Sequence, residues 1–104
     1  MFCTNSVVIW IANSNHHEIV KINVESGEVE KEFNSKGKNP SRTAVVPKDG
    51  SVWVGNRGWD CKTDLNCSNV IHFSVDGEQI CRGDVPYMVR ALAIDLEGNV
   101  WAGS

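Results

Sequence analysis

Three tryptophans, Trp10, Trp53 and Trp101, each sit in a short apolar phrase: IWIAN, VWVGN and VWAGS. They lie 43 and 48 residues apart, and the similarity extends around them. RTAVVPKDGSVW (42–53) overlays RALAIDLEGNVW (90–101) without a gap, setting Arg42 on Arg90 and Gly50 on Gly98. EIVKINVESGEVEKEF (18–33) overlays NVIHFSVDGEQICRG (69–83) with one residue lost in the turn. A repeat of this length requires a succession of like units, each of which must bury its apolar faces against its neighbours.

The unit holds four short segments. The first is RTAVVP or RALAID, and a turn with a glycine follows (KDGS, LEGN). The second carries the tryptophan, the third is EIVKINV or NVIHFSV, and the fourth, VEKEF or QICRG, is the most polar. Alternating segments closed by Gly, Asn, Asp and Ser turns predict antiparallel strands, and a polar last strand suits an exposed sheet edge. No helical period is sustained. The expected fold is all-β, built of antiparallel four-stranded blades of a β-propeller. Residues 7–33 supply the last three strands of one blade, 42–84 a complete blade with an inserted loop at 58–68, and 90–104 the first two strands of the next. About two blades are therefore expected over 1–104, one complete and two partial. A propeller closes with typically 4–8 blades, so the chain reads as a fragment of a larger ring or as a unit that completes its ring with other copies.

The phrases AIDLEGNVWAG and VPKDGSVWVGN resemble the repeats of the NHL and virginiamycin B lyase-like propellers, and the short propeller repeats of some bacterial two-component sensors. The resemblance covers nearly the whole chain except the loop at 58–68. It implies the fold more firmly than an activity, because those families include lyases, sensors and binding platforms. The lyase-like resemblance implies a His and a Glu acting with a divalent metal, but no motif here assigns those roles to particular residues.

A net charge of −3 provides no basic footprint for nucleic acid. No apolar run approaches the ~20 residues that span a bilayer, and the first residues do not read as a signal peptide. Of the four cysteines, Cys61 and Cys67 lie in the polar stretch DCKTDLNC. They are compatible with a disulfide that closes a small loop, which points to an extracellular or periplasmic setting. Cys3 and Cys81 read as free thiols.

In a propeller the first strand of each blade lines the central channel. One face of the disc then collects the starts of these strands (Arg42, Arg90), the ends of the tryptophan strands (Asn13, Asn56, Arg57) and the loop with Trp59. These six are the candidate ligand-binding residues. A set of guanidinium groups suits bidentate recognition of a carboxylate, a phosphate or a sugar acid. The loop oxygens of Asp60, Asp64 and Asn66 are hard-cation ligands in type, but the glycine and distal glutamate of a calcium loop are missing. No cofactor is expected, with calcium the weak exception. His16 and His17 share a turn on the same face without a nucleophile or carboxylate fixed beside them. The tryptophans read as packing between blades. The functional expectation is a non-catalytic binding or scaffold module that takes a small molecule or protein at the channel face. Its other partners are further blades, or copies of itself at exposed strand edges. The alternative is part of a lyase- or hydrolase-type propeller whose active site needs further blades.

Overall fold

The computed structural model describes residues 7–58 and 68–104. Nine strands form among them: β1 (Val8–Asn13), β2 (Glu18–Asn23), β3 (Val29–Asn34), β4 (Pro40–Val45), β5 (Val52–Asn56), β6 (Ser68–Phe73), β7 (Gln79–Val85), β8 (Ala91–Ile94) and β9 (Val100–Gly103). The one helical element among the described residues is a single 3-10 turn, Ser14–His16. All pairings are antiparallel between strands consecutive in the chain, giving three sheets ordered β1-β2-β3, β4-β5-β6-β7 and β8-β9. The all-β, antiparallel expectation holds.

The sheets follow one another face to face. The first strand of each meets the first strand of the next: β1 packs on β4, and β8 packs on β4 and β5. Between the first two sheets lies the main core. Trp10 and Ile19 from sheet 1 cluster with Val52, Val54, Ile71 and Phe73 from sheet 2, flanked by Val8, Ala12 and Phe33. Phe33 touches the Trp10 ring edge-on, with centroids 5.9 Å apart, and tilts against Phe73 at 4.9 Å. A hydrogen bond also crosses here, from Thr43 Oγ1 to the Trp10 carbonyl at 3.0 Å. Alternation fixes the faces: Val52 and Val54 look back toward sheet 1, so Trp53 and Gly55 look forward toward sheet 3. A Cβ placed on Gly55 would stand 2.7 Å from Val89 Cγ1, and Val89 is wholly buried. The outermost strands, β3 and β7, are almost entirely exposed, and β3 reads VEKEFN. Charged edge strands of this kind resist pairing with other chains.

The three repeat tryptophans grade in exposure along this stack. Trp10 is 6% exposed under a four-stranded sheet, Trp53 is half-buried beside a two-stranded one, and Trp101 in the last sheet is 65% exposed. Inter-sheet packing, expected for all three, therefore holds fully only for Trp10. Trp53 lies flat on His72 of its own sheet, with centroids 4.5 Å apart and planes 9° from parallel. The Trp101 indole N–H donates to Asp95 Oδ2 at 3.0 Å.

The turn at 95–99 is one residue shorter than its counterpart at 46–51. Val45 pairs with Val52 across the longer turn and Ile94 with Val100 across the shorter. In the short turn Asp95 Oδ1 accepts from the Glu97 and Asn99 N–H groups. In the long one Asp49 Oδ1 accepts from the Ser51 N–H and hydroxyl. The gap-free overlay of the two segments therefore fails upstream of the turn. Arg42 pairs with Gly55, whereas the residue opposite the equivalent Gly103 is Ala91, and Arg90 falls one position before the strand. A one-residue slip sends a side chain to the other face, so Arg42 and Arg90 are not repeats of one position.

Candidate functional site

The end of the sheets where β1 and β5 finish and β4 begins is a polar junction built largely from backbone groups. His17, in the left-handed conformation at φ 56, accepts the Asn39 N–H on Nδ1 at 3.0 Å. Its neutral ring therefore carries the proton on Nε2. Asn39, also left-handed at φ 53, donates through Nδ2 to the Gly58 carbonyl and accepts the Arg57 N–H on its own carbonyl. Ser68 donates its hydroxyl to the Arg57 carbonyl. Below these, Asn56 is wholly buried and donates through Nδ2 to Ser35 O at 3.1 Å and Asn69 Oδ1 at 2.8 Å. Gly37 lies so close over it that a Cβ there would be 2.6 Å from Asn56 Cγ. Four of the buried polar residues (Ser35, Asn56, Ser68 and Asn69) gather at this end.

The structure thus brings Asn13, Asn56 and Arg57 to one end but gives them different tasks. Asn56 presents no surface and ties β5 to β6 and to the segment after β3. Asn13 is half-buried at the close of β1, and Arg57 is exposed with Nη2 3.4 Å from Ser14 Oγ. Arg42 is exposed and donates from Nη1 to the carbonyl of Ser41 at 2.7 Å. Arg90 is exposed beside Val89, whose carbonyl accepts the Ser41 hydroxyl at 3.1 Å. The two arginines share this end without forming a repeating ring. Trp59, Asp60, Asp64, Asn66, the expected Cys61–Cys67 disulfide and the expected free thiol of Cys3 lie outside the described residues. Cys81 is an exposed free thiol on β7. Among the described residues no three of His, Cys, Asp and Glu converge as a cation site would require.

Two further features lie toward the opposite end. Ser51, 2% exposed, sits between Asp49 and His72, with its Oγ 2.6 Å from Asp49 Oδ1 and 2.7 Å from His72 Nε2. The Ser51 hydroxyl and backbone N–H hold the Asp49 carboxyl below the usual carboxylate range. In a nucleophilic triad the imidazole stands between the hydroxyl and the carboxylate. Here the hydroxyl is in the middle and buried, so the group braces the β4–β5 turn against β6. The second feature is a groove of about 540 Å³ between 44–48 and 94–98. Its walls are largely apolar, with Lys48, Asp95 and Glu97 at the turns. Its size falls within the range of small-molecule sites. Sequence reasoning missed it, although Pro47 and the fully exposed Leu96 are apolar residues at turn positions that polar residues usually fill.

Comparison of the sequence with protein-family models and with curated proteins finds no match to either. No helix among the described residues is long and apolar enough to cross a membrane.

Proposed function

We propose that the protein is a non-catalytic binding module of the β-propeller type, with its three sheets as successive blades akin to NHL or virginiamycin B lyase-like repeats. The observation that carries this reading is the face-to-face succession of sheets in chain order. The strand that leads each sheet packs on the strand that leads the next, and exposed polar strands end each larger sheet at the other side. The graded burial of Trp10, Trp53 and Trp101 supports it, since each ring is covered in proportion to the sheet that follows. The recognition surface in this reading is the polar junction, where the exposed Arg42, Arg57 and Arg90 share an end with the His17–Asn39 turn. Guanidinium groups at such a surface select carboxylate or phosphate oxygens. Amide chemical-shift mapping of the ¹⁵N-labelled protein with inorganic phosphate and with glucuronate tests it. The reading expects shifts confined to 13–17, 39–42, 56–58 and 89–91, weakened for at least one of the two anions by Arg42→Glu. Unmoved amides at about 10 mM of both anions, well above a millimolar Kd, overturn the surface assignment.

A further inference from the structure

Each sheet of this chain offers two different faces, and the chain itself shows how they fit. The forward face of sheet 1 is a knob, Trp10 on β1. The backward face of sheet 2 is its socket, formed by two cross-strand pairs, Val52 with Phe73 and Val54 with Ile71, all four wholly buried. The repeat assigns the same socket to sheet 1, because Ile9, Ile11, Val20 and Ile22 occupy the positions of Val52, Val54, Ile71 and Phe73. The pairing is also the same, Ile9 with Ile22 and Ile11 with Val20. This copy of the socket is open. Ile9 is 46% exposed, Ile11 is 41% exposed, and Val20 and Ile22 are half-buried. At the far end of the stack the knob is open too. Trp101, 65% exposed, projects from the position of Trp10 with small residues (Ala91, Ala93 and Gly103) on the strands beside it and the Asp95 carboxylate at its indole N–H, 3.0 Å away.

We infer that the chain assembles head to tail, Trp101 of one copy seating on the Ile9–Ile11–Val20–Ile22 face of a second copy. The inference rests on the blade reading and extends it from strand edges to sheet faces. Three observations select a second copy as the occupant. The occupied version of the same knob and socket forms the main hydrophobic core among the described residues. The two open halves lie on opposite outer faces of the stack of sheets, so copies join without altering either. And both strands that carry the socket residues are present in sheet 1 as β1 and β2, although the equivalent of β4, on which β1 also packs, is not among the described residues. The contact is heterologous, which closes a ring when the rotation permits and otherwise extends.

Complementing variants test this on the full 104-residue chain. Trp101→Ala removes the knob and leaves the socket, and Ile11→Lys blocks the socket and leaves the knob. Both residues are exposed, and circular dichroism with urea unfolding checks that each variant keeps the fold. Sedimentation velocity from about 1 to 100 µM should show the unaltered chain heavier than a monomer, with mass rising with concentration. Each variant alone should associate at least about 30-fold more weakly, as expected for loss of a central tryptophan anchor. Mixed at equal ratio, the variants should form a one-to-one pair and nothing larger. A monomeric unaltered chain overturns the inference. So do variants that assemble as well as it does, which would place the contact at strand edges, and variants that fail to pair. The anion mapping is run on monomeric Trp101→Ala, so its outcome judges the binding surface separately from assembly.

Discussion

Replacing Gly55 with alanine should destabilise the protein through one defined collision. Gly55 lies mid-strand with ordinary negative φ, so its backbone does not require glycine. The constraint is the neighbour, since an added Cβ would sit 2.7 Å from Val89 Cγ1 and 3.4 Å from Leu92 Cδ1. Carbon atoms rest at about 3.5–4.0 Å, so Val89 must retreat by about 1 Å. It is wholly buried between β5 and β8 and cannot swing into solvent. Overpacking of this kind costs about 1–3 kcal/mol. With a urea m-value of about 2 kcal/mol/M for a small protein, the midpoint should fall by about 1 M with m unchanged. Gly103 provides the internal control, because it occupies the same repeat position in the last of the three sheets described. Its added Cβ would meet nothing closer than Ala91 Cβ at 3.5 Å. Gly83→Ala is a second control, with no atom within 4 Å. Both should be neutral or stabilise by less than about 1 kcal/mol. The assay is urea unfolding followed by far-ultraviolet circular dichroism at low protein concentration. A Gly55→Ala midpoint equal to those of the two controls refutes the packing of sheet 3 on sheet 2.

The other predictions concern side chains whose hydrogen bonds set their behaviour. The Trp101 indole N–H, followed by the Asn99 backbone N–H, holds the Asp95 carboxyl down at about 2 from an unperturbed 3.8. A depressed carboxylate contributes stability that is present above 3.8 and lost as pH falls through 2. The Asp95 carboxyl resonance should titrate near 2 by NMR and move up toward 3.8 in Trp101→Phe; a midpoint near 4 in the unaltered protein contradicts the contact. Asn56→Ala should cost about 1–3 kcal/mol, because the Ser35 carbonyl and Asn69 Oδ1 are left buried without the amide that served them. Urea unfolding measures that loss, and a change below about 0.5 kcal/mol would show that the amide is dispensable.

The strands were legible because alternation is local. Val–Trp–Val and Ile–Val–Lys–Ile are short apolar runs bounded by turn residues, which read as strands, and Gly50 and Gly98 mark the turns of the hairpins. Register was not legible. The overlay of 42–53 on 90–101 has no gap in the sequence, yet Asp95 closes its turn one residue sooner than Asp49 does, and Arg42 and Arg90 part company. Side-chain capping of a turn competes with the ladder at a scale that residue types alone do not rank. The tryptophans show a second limit. Their similar phrases predict similar burial, but burial belongs to the sheet that follows, and the three rings range from 6% to 65% exposed. Asn56 shows a third. At a strand end it reads as a ligand-facing amide, and only its position under Gly37 makes it a buried tie. The groove at 44–48 and 94–98 arises between two sheets that the pattern describes one at a time.

The central claim is that each sheet covers the tryptophan of the sheet before it. The most direct measurement is ¹⁹F NMR of the protein labelled with 5-fluorotryptophan, with resonances assigned by single Trp→Phe substitutions. The difference in shift between H₂O and D₂O reports contact with solvent at each ring. In dilute solution the difference should be smallest for Trp10, intermediate for Trp53 and largest for Trp101. On concentration, Trp101 alone of these three should lose solvent contact as a second copy covers it. Equal solvent contact at Trp10 and Trp101, or the reverse order, contradicts the stacking of sheets on which the account stands.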